Sequence, residues 1–313
     1  MNDVANPTMP VYAHLSLLDK LAVWSGWAVA GAMFYTLGWM ALAPSDPLGA
    51  VSLFARGHAW PVLFQAAGLA AVAAAVATIL SGRQLACAGP FAAALGLAVV
   101  SLRGETAESV LLSATGAGAP SAKAIAPGFA LESLGWLFVI LVAFAVSGVV
   151  ARWCFGRASH ALHESAAPAR ATDGPYFSVI AAVASLLAFD ILTTGLDRRA
   201  IQHGQVCFVV AASVWLGCFL AHRMITVRSV LWSILSVAIL AIGGYLWAGA
   251  HSASPSLPPG VPASHFLRVL PIQFIAVGAA AAVAAHWSML RRRAMYAADD
   301  EAIYAARSSE GHR

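Results

Sequence analysis

Four polar residues share one face of an apolar segment near the middle of the chain. Asp190 is followed by Thr193, Thr194 and Asp197, at positions i+3, i+4 and i+7 of a predicted helix. A carboxylate inside the hydrocarbon costs about 2.5–3.5 kcal/mol unless it is paired, protonated or hydrated. The spacing therefore predicts a polar site for a proton, a cation or a small polar solute, placed six to eight residues from the outer helix end.

Other polar residues are expected at the same depth on neighbouring helices. His203 and Gln205 begin the next predicted helix, while Glu132 and Gln273 belong to two others. Together with the stripe they could line a vestibule that opens outward. The alternative is a buried ion pair that fixes helix packing and has no further role. The side chains that could pair with the acid are Arg198, Arg199, Arg268 and His203.

The composition requires lipid as the solvent of this chain. Its 313 residues are 60% hydrophobic and 10% charged, whereas soluble domains are about 25% charged. Apolar runs of about twenty residues recur throughout, which is the length that crosses a ~30 Å hydrocarbon core as a helix. The sequence thus predicts an all-α bundle, a single membrane domain with the bilayer as its partner.

Breaks between the apolar runs set the predicted organisation. A segment at 152–175 is expected to be a cytoplasmic loop, and 291–313 a cytoplasmic tail. The count could be seven to nine spans, and we expect eight. They are 20–43, 60–80, 85–102, 129–151, 176–196, 201–221, 227–248 and 266–290.

The basic residues predict the orientation. With both termini on one side, that side carries twelve of the 18 Lys and Arg residues and the opposite side six. The positive-inside rule then places both termini in the cytoplasm. The abundance of alanine and arginine favours a GC-rich bacterial genome, and hence a multi-pass protein of the bacterial inner membrane.

Several function classes lack their signatures. The four cysteines form no CxxC pair, and no Walker, HExxH or GxSxG motif is present, so we expect no metal site and no catalytic residue. The basic residues flank apolar runs and give no reason to expect nucleic acid as a partner. An intramembrane enzyme would need Asp190 with His203 or Glu132.

The histidines do not favour a haem. His222 and His286 are expected near the inner face and His203 near the outer face, where a histidine is usually solvated. A b-type haem needs two imidazoles at one depth on facing helices, surrounded by small residues. We therefore expect no cofactor.

The two halves of the chain share a layout of loops. Each has a short basic turn after its second helix and a long proline-containing loop before its fourth. With four spans in each half, a repeat would be parallel. Coincidence of loop lengths is the favoured explanation, because no motif is repeated.

These observations favour a non-enzymatic membrane protein. It would be a carrier of a small solute or ion, or a helical subunit of a larger membrane complex, with its polar site around Asp190. One alternative is a redox subunit that binds haem or quinone. Another is a purely structural protein that binds other membrane subunits.

Overall fold

The computed structural model describes residues 17–44, 49–53, 59–81, 85, 87–107, 110, 122–156, 172–194, 202–227, 229–251 and 264–310. These residues form eight helices and no strand, which confirms the all-α bundle. A short 3-10 helix, His265–Arg268, precedes the last helix. The helices are α1 (Leu17–Leu42), α2 (Ala59–Ser81), α3 (Ala88–Ser101), α4 (Ala122–Phe155), α5 (Asp173–Thr193), α6 (His203–Met224), α7 (Leu231–His251) and α8 (Pro271–Glu310).

Seven of the described helices are long and apolar enough to cross a membrane, and α3 is the exception. Its 14 residues reach about 21 Å at 1.5 Å per residue, less than the hydrocarbon thickness. Most of α3 is buried between other helices, so protein covers much of its surface. By contrast, α4 begins seven residues earlier than predicted, and α8 continues as one helix through the predicted tail to Glu310.

Contacts at both ends show that α8 runs antiparallel to α1 and to α5. The side on which α1 begins and α8 ends is here named the terminal side, and the other the distal side. On the terminal side, Trp27 of α1 stacks on Trp287 of α8. On the distal side, Phe189 of α5 packs against Phe274 near the start of α8.

The helix pairings of the first half recur in the second. Helix α2 packs on α4 as α6 packs on α8, and α1 on α3 as α5 on α7. Between the halves, α4 contacts α7 and α3 contacts α8, which are also equivalent pairs. One departure is that α2 and α3 pack extensively whereas α6 and α7 barely touch. The pattern supports the parallel relation between the halves.

Glycines allow the closest helix approaches, as in many membrane bundles. In α1 the helix widens to a π-turn at Phe34–Gly38, and the buried Phe34 ring occupies the space that a side chain at Gly96 of α3 would need. In the second half, Gly217 of α6 lies directly against α5: a Cβ there would come 2.5 Å from the Ser185 backbone nitrogen. This contact fixes the position of α5, which carries Asp190.

Candidate functional site

Asp190 lies nearer the distal helix end than the sequence suggested. Helix α5 ends at Thr193, three residues further on, so the acid is about 4.5 Å from that end. Its side chain is exposed on the outer surface of the bundle. Across the described ranges, whose gap at 195–201 includes Arg198 and Arg199, no side chain bonds to its carboxylate.

The two threonines of the stripe do not complete a polar site with the acid. Thr193 is buried and donates to the carbonyl oxygens of Phe189 at 2.9 Å and Asp190 at 3.0 Å. Thr194 is exposed and donates to the Asp190 carbonyl at 2.7 Å. Both hydroxyl protons are thus used within α5, a common arrangement for threonine in membrane helices. Asp197 lies outside the described residues.

Three of the other predicted residues have structural partners. The Gln273 amide nitrogen lies 3.1 Å from His203 Nδ1 and, having only hydrogens to offer, donates to it. The Gln273 oxygen accepts from the Leu270 backbone at 3.2 Å. Gln205 caps the start of α6 by accepting from the Gln202 backbone at 3.1 Å. His203 and Gln273 are therefore brought together, whereas Gln205 caps the start of its own helix, α6.

Glu132 forms a separate buried centre. It is 4% exposed and accepts from Ser52 Oγ at 2.6 Å and from Trp136 Nε1 at 2.9 Å. Hydrogen bonds of this kind to a buried carboxylate hold its donors and the surrounding backbone in place. Glu132 does not line the cavity that contains Asp190. The single vestibule expected from the sequence is therefore divided into separate polar groups.

A groove of about 690 Å³ lies between α5 and α7. The segment 264–266, which leads into the 3-10 helix, closes part of one wall. Toward the bilayer midplane its walls are apolar, and the polar groups gather at its distal end. The apolar walls include Ala182, Val183, Leu186, Leu187, Ile239 and Leu240; the polar end is formed by Asp190, Thr193, His251, Ser264 and His265.

The dimensions of this groove match one leaflet of a bilayer. Along α5 its lining runs from Ala182 to Thr193, which is about 16 Å of helix. Half of a ~30 Å hydrocarbon core is about 15 Å. The groove is also open sideways to the lipid, because Val183 and Leu187 on one wall and Ile239 on the other are exposed. A lipid chain could therefore enter from the bilayer itself.

His251 gives the distal end of the groove a defined hydrogen-bonding character. Its Nδ1 lies 2.9 Å from the Trp247 carbonyl oxygen, which can only accept, so Nδ1 carries the hydrogen. In the neutral ring Nε2 is then an acceptor. With the Asp190 carboxylate also accepting, the polar end of the groove favours a ligand rich in donors.

On the terminal side, two histidines are in contact, although the sequence predicted each of them to be solvated. His222 and His286 are 4% and 5% exposed, and their ring centroids are 5.3 Å apart. His222 Nε2 lies 3.5 Å from Ser233 Oγ. The prediction that these histidines are solvated was wrong, because His222 packs against Phe177 of α5, lies beside Ser233 of α7, and contacts the His286 ring of α8.

The equivalent place in the first half holds hydroxyl groups. Thr78 Oγ1 and Ser147 Oγ are 2.8 Å apart between α2 and α4, and Gly89 of α3 packs against both. Positions Thr78 and Gly89 correspond to His222 and Ser233 by the same separation in sequence. Thr78 and Ser147 are 69 positions apart and His222 and His286 are 64 apart, so no spacing shared by the two halves could have located the histidine pair.

Clusters of metal-binding side chains and similarity to known proteins are the remaining features that could indicate a site. Within the described part of the chain, no cluster of three or more His, Cys, Asp or Glu side chains could hold a metal ion. Comparison with protein-family models, with curated proteins and with solved structures gave no match.

Proposed function

We propose that this chain is a non-enzymatic membrane protein that binds an amphipathic molecule of the bilayer in the groove between α5 and α7. The observation that carries the proposal is the order of the groove lining. Apolar residues line the part toward the midplane, and Asp190, His251 and His265 lie at the distal end. A molecule with one polar head and an apolar chain has the same order.

A bare ion is a poorer match to this geometry. Hard cations need several oxygen ligands, for example six to eight for Ca²⁺. Among its described lining residues the groove offers one carboxylate, Asp190, and the hydroxyl groups of Thr193 and Ser264, which are fewer side-chain oxygens than Ca²⁺ requires. The small-solute site expected around Asp190 is therefore better described as the head-group end of a longer site.

The head group supplies the selectivity in this proposal. Lipid chains are as apolar as leucine side chains, so a chain gains little hydrophobic free energy by moving from bilayer to groove. The shape of the groove orders the chain. The carboxylate of Asp190 then contributes a charge-assisted hydrogen bond, worth about 1.5–3 kcal/mol, to a donor on the head.

The cellular setting is part of the proposal. We place the protein in the inner membrane of a bacterium with both termini in the cytoplasm, so that the groove opens to the outer leaflet. There it would act as a carrier of the amphipath or as a lipid-dependent subunit of a membrane complex. A quinone fits less well, because its carbonyl oxygens cannot donate to Asp190 or to neutral His251.

Photo-cross-linking tests the proposal. The protein is reconstituted in vesicles containing a phospholipid with a diazirine on its acyl chain, and adducts are mapped by mass spectrometry. We expect adducts to concentrate on the groove-lining residues of α5 and α7. Adducts spread evenly over all lipid-facing helices would contradict the proposal, since that is the pattern of annular lipid.

A matched pair of glycine variants sharpens this test. Gly243 lines the groove and has open space around its Cβ position, so Gly243→Leu adds a side chain to the groove from a Cβ that meets no neighbour. Gly148 of α4 is also exposed with open space around it, and Gly148→Leu makes the same change elsewhere. We expect Gly243→Leu to lose most groove adducts and Gly148→Leu to keep them. Equal labelling of both variants would refute occupancy of the groove.

A further inference from the structure

We propose that the groove selects a primary ammonium head group, and so takes an aminophospholipid of the phosphatidylethanolamine type. This inference rests on the proposed function and goes further by naming the ligand class. It follows from the kinds of hydrogen-bonding groups at the distal end of the groove and from their distribution between the two walls.

The α5 wall presents a carboxylate to the ligand. Asp190 lines the groove, and no side chain in the described ranges is bonded to it. A carboxylate is an acceptor only and has several lone pairs to share. Its best partner in a lipid head group is an N–H of a cationic amine, since charge-assisted bonds are the strongest. An anionic head group would instead be repelled.

The α7 wall presents a second acceptor. His251 directs its Nδ1 hydrogen to the Trp247 carbonyl, which leaves Nε2 of the neutral ring to accept from the ligand. A primary ammonium carries three hydrogens, so it has donors for the acceptors of both walls. A trimethylammonium group carries the same charge with no donor. The distal end therefore distinguishes two head groups of equal charge.

The remaining wall suits the phosphate of such a lipid. A small crevice adjoins the groove and shares Phe189, Thr193 and His265 with it. Arg268 lines this crevice and is 3% exposed, so a buried guanidinium lies beside the part of the groove formed by Phe189, Thr193 and His265. A zwitterionic head lying across the distal end would have its ammonium toward Asp190 and its phosphate toward this wall.

The apolar length of the groove decides between a lipid and a free amine. The polar end alone could attract any primary amine, but most of the lining is apolar and open to the bilayer. A free amine would not occupy the apolar part of the groove, and acyl chains of the surrounding lipid would fill it instead. A lipid has an amine head for the polar end and an acyl chain of one leaflet's length for the apolar part, so a lipid is the occupant we propose.

Competition in vesicles tests this inference. A photoactivatable phosphatidylethanolamine is cross-linked to the groove while unlabelled lipids with identical chains compete. We expect phosphatidylethanolamine to compete roughly tenfold better than phosphatidylcholine, the loss expected when one charge-assisted hydrogen bond cannot form. Phosphatidylglycerol should compete no better than phosphatidylcholine.

Three variants assign the selectivity to its residue. Asp190→Asn should lower the competition ratio of phosphatidylethanolamine to phosphatidylcholine toward one, and Asp190→Glu should restore part of that preference. Glu105 is an exposed acid on the distal side outside the groove, so Glu105→Gln removes the same charge and should leave the preference intact. Full selectivity in Asp190→Asn would overturn the role given to Asp190.

The outcomes separate the two proposals. Adducts confined to the groove with equal competition by the two zwitterionic lipids would overturn amine selectivity and leave the groove as a binding site. Adducts scattered over the bundle would overturn both. Because Asp190 is exposed and forms no bond to a described side chain, its variants are expected to fold, which gel filtration and thermal unfolding can verify.

Discussion

Replacing Gly217 by alanine should destabilise the protein by separating α5 from α6. The added Cβ would lie 2.5 Å from the Ser185 backbone nitrogen and 2.8 Å from the Ala181 carbonyl oxygen. Both neighbours are backbone atoms and cannot rotate away. The helices would have to move apart by about 0.9 Å to restore an ordinary 3.4 Å contact.

The expected magnitude follows from this overlap. Overpacking a tight contact costs about 1–3 kcal/mol, and backbone neighbours place Gly217→Ala toward the upper part of that range. Alanine also improves helix propensity by about 1 kcal/mol over glycine, which partly hides the cost. The exposed Gly148, with open space around its Cβ position, provides a control in which the propensity gain occurs without overlap.

The assay is the free energy of unfolding of purified protein in mixed micelles, for wild type, Gly217→Ala and Gly148→Ala. Subtracting the two variants cancels the propensity gain and leaves the cost of the close contact, about 2–3 kcal/mol. Equal stability of the two variants would refute the close packing of α5 on α6, and with it the fixed position of the groove wall.

Other predictions concern the buried carboxylate and the cysteines. Glu132→Ala should destabilise the protein by about 2–4 kcal/mol, because Ser52 and Trp136 lose their acceptor; Glu132→Gln should cost less, since an amide oxygen still accepts, and the same unfolding assay compares them. Burial raises the pKa of the Cys87 thiol to about 12, and the residue is half-buried, so maleimide at pH 8 should modify it more slowly in the folded protein than after unfolding. Cys154 is exposed and should react in the folded protein. If the termini are cytoplasmic, membrane-impermeant maleimide should reach Cys154 in inside-out vesicles only.

The sequence was sufficient for the fold class because apolar length alone determines which segments can span a bilayer. It was insufficient for helix lengths and helix ends. Helix α3 is too short to span the hydrocarbon by itself, and neighbouring helices, not lipid, cover most of its surface. Residues 291–310 continue α8 because arginines end a span without breaking a helix.

The site was only partly predictable. Asp190 and Thr193 both line the groove, but their spacing did not indicate the direction in which either side chain faces. In a membrane protein both the lipid and the core are apolar, so hydropathy does not reveal which face is buried. The sequence therefore gave no sign that Asp190 lies at the surface of a groove or that His222 and His286 are covered. Pairing across helices, as for Gln273 with His203, depends on rotations that a single sequence does not encode.

Electron cryomicroscopy of the protein in nanodiscs containing phosphatidylethanolamine tests the central claim most directly. We predict chain-shaped density between α5 and α7, running from the level of Leu186 to a head group whose amine lies within about 2.7–3.1 Å of the Asp190 carboxylate. A groove without ordered density, beside annular lipid resolved on other helices, would contradict the account.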